Sequence, residues 1–302
     1  MIKTEEFITV FTPTFNRADL LKKCYESLLN QNYKNFEWLI IDDGSIDDTE
    51  ASVKEFVQTE KINIRYFYKE NGGKHSAINF GVNKANSNIF FLLDSDDVLS
   101  ENSLERINQN WKNVESEQFC GITGLSKYRD GTIIGDRFLQ YNWEVSFADI
   151  YLKYGLKGDK AVCFKTEILK QYPFPEKENI RFVFEAVVWH EMAKKYDVLA
   201  LNEILQIVEY QNSGVSDSSY ENWYIQSLAF SYFNLIINKT YSFQKYPKSY
   251  FWNFINLGIN SLLSGTSYFN ELNTWGKLMY LISYPRAYYS YLNMKNLVID
   301  DQ

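Results

Sequence analysis

Residues 89–97 read Ile-Phe-Phe-Leu-Leu-Asp-Ser-Asp-Asp, and this stretch decides the fold of the 302-residue chain. Five consecutive apolar residues predict a fully buried strand, and the acidic run directly after them marks its carboxyl end. A strand without polar alternation is typical of a parallel sheet that is covered on both faces. The flanking sequence should therefore alternate between strands and helices.

The residues that precede this stretch show that alternation. Strands are predicted at 7–11, 36–41 and 62–68, and Thr12-Pro13 is expected to stop the first of them. Helices are predicted at 19–30, after Gly44-Ser45 with Val53, Phe56 and Val57 on one side, and from about His75. The pattern predicts right-handed βαβ units, and so an α/β fold with a mostly parallel, twisted sheet and helices on both faces.

The second half of the chain is more mixed. A helix is predicted at 100–111, strands at 120–125, 132–134 and 161–164, a helix at 184–196, and one or two strands at 198–210. A hairpin is indicated by Arg129-Asp130-Gly131. After Asn212-Ser213-Gly214 the chain becomes rich in aromatic residues with helical spacing. We therefore divide it into 1–98 and 99–214, two halves of one domain, and a helical C-terminal subdomain, 215–302.

Composition and charge exclude several classes of function. The net charge is −7 without a Lys/Arg stripe, so no nucleic-acid partner is expected. Three distant cysteines, Cys24, Cys120 and Cys163, indicate buried thiols in a reducing compartment, and only two histidines argue against structural zinc. An acidic N-terminus and the lack of an apolar run of roughly 18 residues predict a cytoplasmic protein.

Polar residues cluster where three predicted strands end. They are Thr12-Pro13-Thr14, Asp42-Asp43 and the run Asp94 to Asp97. Carboxyl ends of parallel strands converge on one crevice, and crowded carboxylates there need a cation. Hard Mg²⁺ or Mn²⁺ matches oxygen ligands of this kind. The alternative to a cation site is that these aspartates cap the helices that follow them. The two explanations are equally good for Asp42-Asp43, and capping is the weaker one for the run that begins at Asp94.

Four short motifs, in this order, resemble the family 2 glycosyltransferases, which have the GT-A fold. The motifs are Thr12-Pro13-Thr14-Phe15-Asn16-Arg17, Asp42-Asp43-Gly44-Ser45, Asn71-Gly72-Gly73-Lys74-His75 and Asp94-Ser95-Asp96-Asp97. The similarity continues more loosely to about Ser216. The resemblance implies that residues 1–98 bind a nucleotide sugar and that residues 99–214 bind the acceptor.

The resemblance also implies roles for single residues. Thr12, Pro13 and Phe15 would line the base pocket, and Asp42 would accept a hydrogen bond from the imide of the base. Lys74 would approach the nucleotide or its diphosphate, although a solvated surface lysine is the alternative. Asp94 would lie near the ribose or sugar, and Asp96 would hold the metal with Asp94. The remaining residues that we assign to the nucleotide-sugar site are Asp43, Asn71 and Ser95.

A single displacement that inverts the anomeric centre needs one general base. The family carries it in a Glu-Asp pair at the start of a helix, within the stretch that here reads Arg181-Phe182-Val183-Phe184-Glu185-Ala186. Glu185 is the candidate base, and Ala186 stands where the family has aspartate. Glu191 and His190 are alternatives on the same predicted helix. The loop Gly158-Asp159-Lys160 either contacts a sugar or is only a turn.

The predicted function is therefore transfer of a sugar from a nucleoside-diphosphate sugar, most simply a UDP-sugar, to an acceptor hydroxyl. By family analogy the product is a bacterial surface polysaccharide or cell-envelope glycan, and the acceptor is a glycan or is lipid-linked. A nucleotide-sugar-binding protein without catalysis is the alternative, motivated by Ala186. The aromatic-rich segment 215–302 has three interpretations. Its rings stack on a glycan, or they lie on the inner face of the membrane, or they pack a helical subdomain against the rest of the protein. Packing is the preferred interpretation.

Overall fold

The computed structural model describes residues 6–176, 182–209 and 220–300, without the side chains of 220–226, 228 and 295–300. The chain divides into two compact units. The first combines residues 1–174 with 192–211, and the second combines 175–191 with 212–302. The predicted limit between 214 and 215 lies outside the described residues, and the limit between 98 and 99 stays a prediction.

The first unit contains a mixed sheet of nine strands in the described part of the chain. The strands are β1 (Ile8–Thr14), β2 (Phe36–Asp42), β3 (Asn63–Tyr68), β4 (Ile89–Leu92), β5 (Val98–Leu99), β6 (Phe119–Tyr128), β7 (Trp143–Val145), β8 (Lys160–Lys165) and β9 (Asp197–Val208). Their order across the sheet is β3-β2-β1-β4-β8-β6-β9-β5, with β7 also paired to β9. The four strands β3, β2, β1 and β4 are parallel, and β8 runs antiparallel to both β4 and β6.

Helices follow the strands of the parallel half, as the alternation predicts. The helices described up to residue 192 are α1 (Ala18–Leu29), α2 (Thr49–Gln58), α3 (Lys74–Lys84), α4 (Ser103–Trp111), α5 (Thr166–Leu169) and α6 (Ala186–Met192), and all of α6 except Met192 belongs to the second unit. A π-helical turn covers Asp149–Lys153, and a 3₁₀ turn covers Lys112–Val114. Apolar side chains of α1, α2 and α4 and of strands β1, β2 and β4 form one buried core. The α/β fold and the helical C-terminal region are confirmed.

The end of β1 differs from the prediction. Thr12-Pro13 does not stop this strand, because the register pairs Pro13 with Ile41 and Thr14 with Asp42. On the other side of β1, the pairing with β4 ends at Phe11 and Leu92. Proline has no N–H to donate, and the open side of the strand beyond Phe11 does not require one. The strand therefore carries the polar residues to the edge of the sheet.

Other elements differ in extent. The stretch 132–134 is no strand, since only Lys127 and Ile133 form an isolated bridge there. The helix predicted at 184–196 begins at Ala186 and ends at Met192, and the described part of the range 198–210 contributes one long strand, β9. The short strands β5 and β7 lack a sequence signal of their own, because two or three residues carry no readable period. Val57 is exposed on α2, unlike Val53 and Phe56.

The second unit is helical. Besides most of α6, its described helices are α7 (Tyr220–Thr240), α8 (Pro247–Ser264) and α9 (Thr274–Asp300), with a 3₁₀ turn at Phe269–Glu271. Helix α8 begins with Pro247 in its first turn and is followed by Gly265, which has the left-handed φ of 64° that favours glycine after a helix. Among the described helices, none combines the length and the hydropathy of a membrane span.

Candidate functional site

The loops after β1 and β2 are fastened to each other at the carboxyl edge of the sheet. Asn16 adopts a positive φ of 51°. Its backbone N–H donates to Ser45 Oγ over 2.8 Å, and its Oδ1 accepts from the backbone N–H of Ile46, also over 2.8 Å. These two bonds fix the loop after β1 against the loop after β2. The predicted convergence of the strand ends is thus present in the first unit.

Asp43 organises the glycine loop that follows β3. Its buried carboxylate accepts the backbone N–H of Gly72 at 3.0 Å and that of Gly73 at 2.7 Å. Lys69 Nζ lies 2.7 Å from the same carboxylate, and Asn71 Nδ2 donates to the carbonyl oxygen of Asp43. Gly73 has a φ of 89°, a conformation that only glycine adopts readily. Asp43 and Asn71 therefore shape the loop that begins α3.

Asp42 is buried beside them, and both of its carboxylate oxygens are engaged. Oδ1 accepts the backbone N–H of Ser45 at 2.7 Å, and Oδ2 accepts the Tyr66 hydroxyl at 2.6 Å. Burial, together with this carboxylate, raises the pKa of Tyr66 well above its usual value. Each oxygen thus accepts one hydrogen bond from within the first unit. The predicted role of Asp42 toward a nucleotide base remains a prediction.

The acidic run after β4 forms a compact cluster. One carboxylate oxygen from each of Asp94, Asp96 and Asp97 lies within 4.8 Å of the others. Three carboxylates at this spacing suit a hard divalent cation with oxygen ligands, which matches the predicted Mg²⁺ or Mn²⁺. The donor set therefore fits the metal, with Asp94 and Asp96 partly accessible and Asp97 buried.

Two cations from other segments lie against this cluster. Arg17 Nη1 is 2.8 Å from Asp96 Oδ2 and 3.3 Å from Ser95 Oγ. Lys74 Nζ is 2.7 Å from the carboxylate of Asp94. Each of these carboxylates thus has its own positive partner in the structure. These cations reduce the repulsion that would otherwise separate the aspartates.

Asp97 has a different environment from its neighbours. Its carboxylate accepts hydrogen bonds from the amide of Gln206 and from the backbone N–H of Glu209, which anchor it to β9 and the residue after it. Burial, and then the charges of Asp94 and Asp96, raise the pKa of Asp97 to about 8. A bound cation at this cluster would favour the ionised form of Asp97.

The structure brings most of the predicted nucleotide-sugar residues to one edge of the first unit. Thr12 is fully buried and its hydroxyl accepts a 2.9 Å hydrogen bond from the Trp38 indole, so its side chain supports the strand end. Phe15 is 46% exposed in the loop that follows. The assignments of individual residues to a donor remain predictions.

Glu185 belongs to the second unit. It directly precedes α6, and its carbonyl oxygen accepts the backbone N–H of Val188 and Trp189 in the first turn of that helix. Its side chain is half-buried. Arg181, from the motif that suggested it, lies outside the described residues. Its role as a general base stays a prediction.

The alternatives to Glu185 have structural partners within the second unit. His190 is buried, with Nδ1 at 3.1 Å from the Tyr241 hydroxyl. Glu191 accepts a 2.7 Å hydrogen bond from the Thr240 hydroxyl. In the first unit, Lys160 directs its ammonium group to the backbone carbonyls of Ile134, Lys157 and Gly158. These contacts give His190, Glu191 and the 158–160 loop structural partners, and their alternative roles in the site stay predictions.

Sequence reasoning missed several residues that the structure places in the site. They are Arg17, Lys69, Asp97 and Gln206. Arg17 and Asp97 stand inside quoted motifs, so their charge was a usable signal. Gln206 carried none, because its position on β9 is separated from the acidic run by more than one hundred residues.

Comparison with known proteins assigns this architecture to a family. The sequence model of "Glycosyl transferase family 2" matches residues 9–165, more than half of the chain. TuaG of Bacillus subtilis (strain 168), a glycosyltransferase whose name assigns it to teichuronic acid biosynthesis, is 27% identical over 232 residues. That alignment covers 74% of this chain and 89% of TuaG.

Two solved structures share the fold. The crystal structure of S. aureus TarS 1-349 in complex with UDP-GlcNAc superposes with a TM-score of 0.59 at 16% identity, covering 95% of this chain and 92% of TarS 1-349. The mannosyltransferase PcManGT from Pyrobaculum calidifontis, in complex with GDP-Man and Mn²⁺, gives 0.60 at 15% identity, covering 85% and 72%. At these identities the likeness concerns the fold alone.

Several curated relatives are longer than the region they share with this chain. The matched stretch spans 14% to 38% of the length of four bacterial glycosyltransferases from Rickettsia and Streptococcus pneumoniae. The similarity to these four concerns one region of each relative.

Proposed function

Because this chain belongs to glycosyl transferase family 2, we propose that it is an inverting glycosyltransferase that moves a sugar from a nucleoside-diphosphate sugar to an acceptor hydroxyl. The observation that carries the proposal is the cluster of Asp94, Asp96 and Asp97, with Arg17 and Lys74 as its cationic partners. Carboxylates for a metal and cations for phosphate, at the carboxyl ends of parallel strands, are the groups that a diphosphate requires.

The donor is proposed to be a UDP-sugar, and the product a bacterial surface polysaccharide or cell-envelope glycan. The UDP-GlcNAc bound to TarS and the teichuronic acid in the name of TuaG support these two choices. The acceptor is a glycan or is lipid-linked, as in a relative from Campylobacter jejuni that is named for a polyprenyl-diphosphate acceptor. Asp42 and Phe15 remain the residues proposed to contact the nucleotide base.

The residues of this chain have distinct tasks in the proposed reaction. Asp94 and Asp96 would hold Mn²⁺ or Mg²⁺, which would neutralise charge on the departing diphosphate. In the absence of a sugar nucleotide, Arg17 and Lys74 form ion pairs with these carboxylates. When a metal ion binds the carboxylates, both side chains can reorient toward phosphate oxygens. The resident ion pairs thus keep the cluster assembled before the donor arrives.

Glu185 is the proposed general base. It would remove the proton of the acceptor hydroxyl while the acceptor oxygen bonds to the anomeric carbon, and the bond from that carbon to the diphosphate oxygen breaks. One displacement of this kind inverts the anomeric configuration. Ala186 leaves Glu185 without an adjacent carboxylate in sequence, so a neighbouring aspartate does not share this task.

The decisive experiment measures nucleotide release from a panel of sugar nucleotides with Mn²⁺, Mg²⁺ or a chelator. We expect slow metal-dependent release from one donor, lost in Asp96→Ala and kept in Asp130→Ala, an exposed turn aspartate that contacts Thr132 N. No release and no metal-dependent binding of any donor would contradict the transferase proposal.

Glu185→Gln separates catalysis from binding. We expect metal-dependent donor binding to persist, while transfer to an acceptor falls by about 10²–10⁴-fold, the usual contribution of a general base. If donor binding persists but the unmodified chain never turns over with any acceptor, the non-catalytic nucleotide-sugar-binding protein becomes the better description.

A further inference from the structure

Helix α9 presents a row of large apolar side chains to solvent. Helical spacing places them on one side of the helix, over a length of about 26 Å. Each of these side chains is between 39% and 62% exposed. We call the row the α9 stripe, and its members are Trp275, Leu278, Leu281, Ile282, Tyr289 and Leu292.

The opposite side of α9 is the one that packs inside the second unit. Ser283 and Ala287 on that side are fully buried. A Cβ at Gly258 of α8 would lie 2.7 Å from the Cβ of Ala287, so the two helices approach closely through small residues. A helix at the surface of a protein normally turns polar residues to water. The exposed side of α9 departs from this rule, which indicates that a partner covers the α9 stripe.

The charge of the surrounding sequence indicates an anionic partner. Residues 222–299 contain six lysines and arginines and one acidic residue, Glu271, although the whole chain has a net charge of −7. Helix α9 itself carries Lys277 and Arg286, and its sequence has no acidic residue before Asp300. Helical spacing places these two cations on opposite flanks of the α9 stripe, roughly a quarter turn from its centre. Apolar side chains between flanking cations are typical of helices that lie on anionic lipid surfaces.

A lipid surface fits this arrangement better than a second copy of the chain. Two α9 stripes packed together would bring Lys277 and Arg286 of both copies to one interface, where the helix offers no nearby acidic residue as a partner. At an anionic bilayer, the same two cations reach lipid phosphates while their aliphatic stems stay beside apolar groups. Trp275 and Tyr289, 50% and 62% exposed, combine an apolar ring with a polar tip, as residues at a lipid–water boundary do.

We propose that α9 lies along the surface of an anionic lipid bilayer, with the α9 stripe inserted between the headgroups. The apolar area that leaves water and the attraction between the two flanking cations and the headgroups both contribute to binding. This inference goes beyond the proposed transfer reaction, because it requires neither a bound metal nor a bound sugar nucleotide.

Vesicle co-sedimentation tests the proposal on the full chain without metal or sugar nucleotide. The probes are vesicles of phosphatidylglycerol and phosphatidylcholine in equal parts, and vesicles of phosphatidylcholine alone. We expect binding to the mixed vesicles that weakens as salt is added, and binding more than about tenfold weaker to phosphatidylcholine alone. No binding to the mixed vesicles, or equal binding to both compositions, would overturn the proposal.

Leu281→Gln and Leu139→Gln form a matched pair of variants. Leu281 is 59% exposed in the α9 stripe, and Leu139 is 58% exposed in the first unit. Leu281→Gln should weaken vesicle binding about tenfold, the order of magnitude for one leucine that is no longer buried, whereas Leu139→Gln should leave binding unchanged. Both substitutions are at exposed positions, so the melting temperatures should stay close to that of the unmodified chain. Equal vesicle binding by the two variants would contradict a role of the α9 stripe.

Arg286→Gln tests the contribution of charge. It should weaken binding to the mixed vesicles about fivefold and reduce the salt dependence, because one cation near the anionic surface is lost. Unchanged binding and unchanged salt dependence would refute the choice of an anionic surface.

Sedimentation velocity without lipid tests the second copy as the partner. We expect a monomer, and a dimer that Leu281→Gln dissociates would overturn the proposal, because the α9 stripe would then be a protein interface. Asp96→Ala should lose nucleotide release and keep vesicle binding. Failure of the proposed transfer reaction and failure of bilayer binding therefore give different results.

Discussion

At the scale of single residues, the site depends on side chains whose polar atoms are already used within the protein. Asp43 illustrates this, since its carboxylate holds two backbone amides of the glycine loop and the ammonium of Lys69. Its neighbour Asp42 instead holds Ser45 N and the Tyr66 hydroxyl. Two adjacent aspartates in one motif thus have different structural tasks.

We predict that Asp43→Asn loosens the glycine loop. The asparagine would present an NH₂ group to one of two backbone N–H donors, at a cost of about 1.5–3 kcal/mol for bonds to a charged acceptor. Hydrogen exchange at Gly72 and Gly73 should accelerate, and donor affinity should fall. Lys69→Met is the control, because it removes the ion pair but leaves both amide bonds. Unchanged exchange at these two amides in Asp43→Asn would refute this role.

His190 gives the second prediction at this scale. The Tyr241 hydroxyl donates its one proton to the His190 carbonyl at 2.9 Å, so the ring Nδ1–H must be the donor in the 3.1 Å contact with that hydroxyl. The ring therefore carries a proton on Nδ1. Burial lowers the pKa of His190 to about 3.

The stability of the second unit should therefore depend on pH. The unfolded histidine has a pKa of about 6.5, so its contribution to folding is complete above that pH and is lost as the pH falls toward 3, by about 1.4 kcal/mol per pH unit. Asn can replace the Nδ1 donor but cannot be protonated. Denaturant unfolding of His190→Asn should show a shallower loss of stability between pH 6.5 and 4. Parallel curves for the two proteins would contradict the prediction.

At the scale of elements, the close approach of α3 to β1 depends on one glycine. A Cβ at Gly81 would lie 2.0 Å from Cε2 of Phe11, a buried ring that stacks on Phe90 at a centroid distance of 4.8 Å. No side chain other than hydrogen fits this position unless the ring moves. The helix that carries Lys74 is thereby held against the strand that precedes Phe15.

We predict that Gly81→Ala destabilises the first unit. Overpacking costs about 1–3 kcal/mol, and alanine gains about 1 kcal/mol of helix propensity over glycine, so we expect a net loss of up to about 2 kcal/mol. Denaturant unfolding measures the loss. Adding Phe11→Leu should create space, so the cost of Gly81→Ala should become smaller in the double variant than in the native background. Additive effects of the two substitutions would argue against a direct clash.

At the scale of the whole molecule, the division into two compact units predicts how ligands affect stability. The carboxylate cluster belongs to the first unit, and the buried His190 belongs to the second. Units of this kind can unfold in separate transitions, and a ligand stabilises the unit that binds it. Metal binding and a fall in pH should therefore shift different unfolding transitions in the melting curve.

We predict that Mn²⁺ or Mg²⁺ raises the melting temperature of one transition. A metal at 100 times its dissociation constant adds about 2.7 kcal/mol of stability, which corresponds to several degrees for a unit of roughly 200 residues. Differential scanning calorimetry of the full chain should show this shift, and Asp96→Ala should abolish it. A shift that survives in Asp96→Ala would place the metal elsewhere.

The sequence by itself determined the parallel half of the sheet and the position of the acidic loops. The apolar runs that end in Asp42-Asp43 and at Asp94 are local features of the sequence. Parallel strands place their carboxyl ends on one edge of the sheet, independently of the structure of the other segments. The four motifs were enough for the family resemblance, because each lies within a few consecutive residues. The helical nature of the C-terminal region followed in the same way from spacing.

Only the tertiary structure decided which of those polar groups meet, because contacts between distant segments leave no local signal. Arg17 pairs with Asp96 across nearly eighty residues, and Gln206 reaches Asp97 from β9. The continuation of β1 through Pro13 depended on where its pairing with β4 ends, which is a property of a neighbouring strand. The packing of α8 against both α7 and α9 likewise is a tertiary property, because the helical period of each segment does not specify its partners.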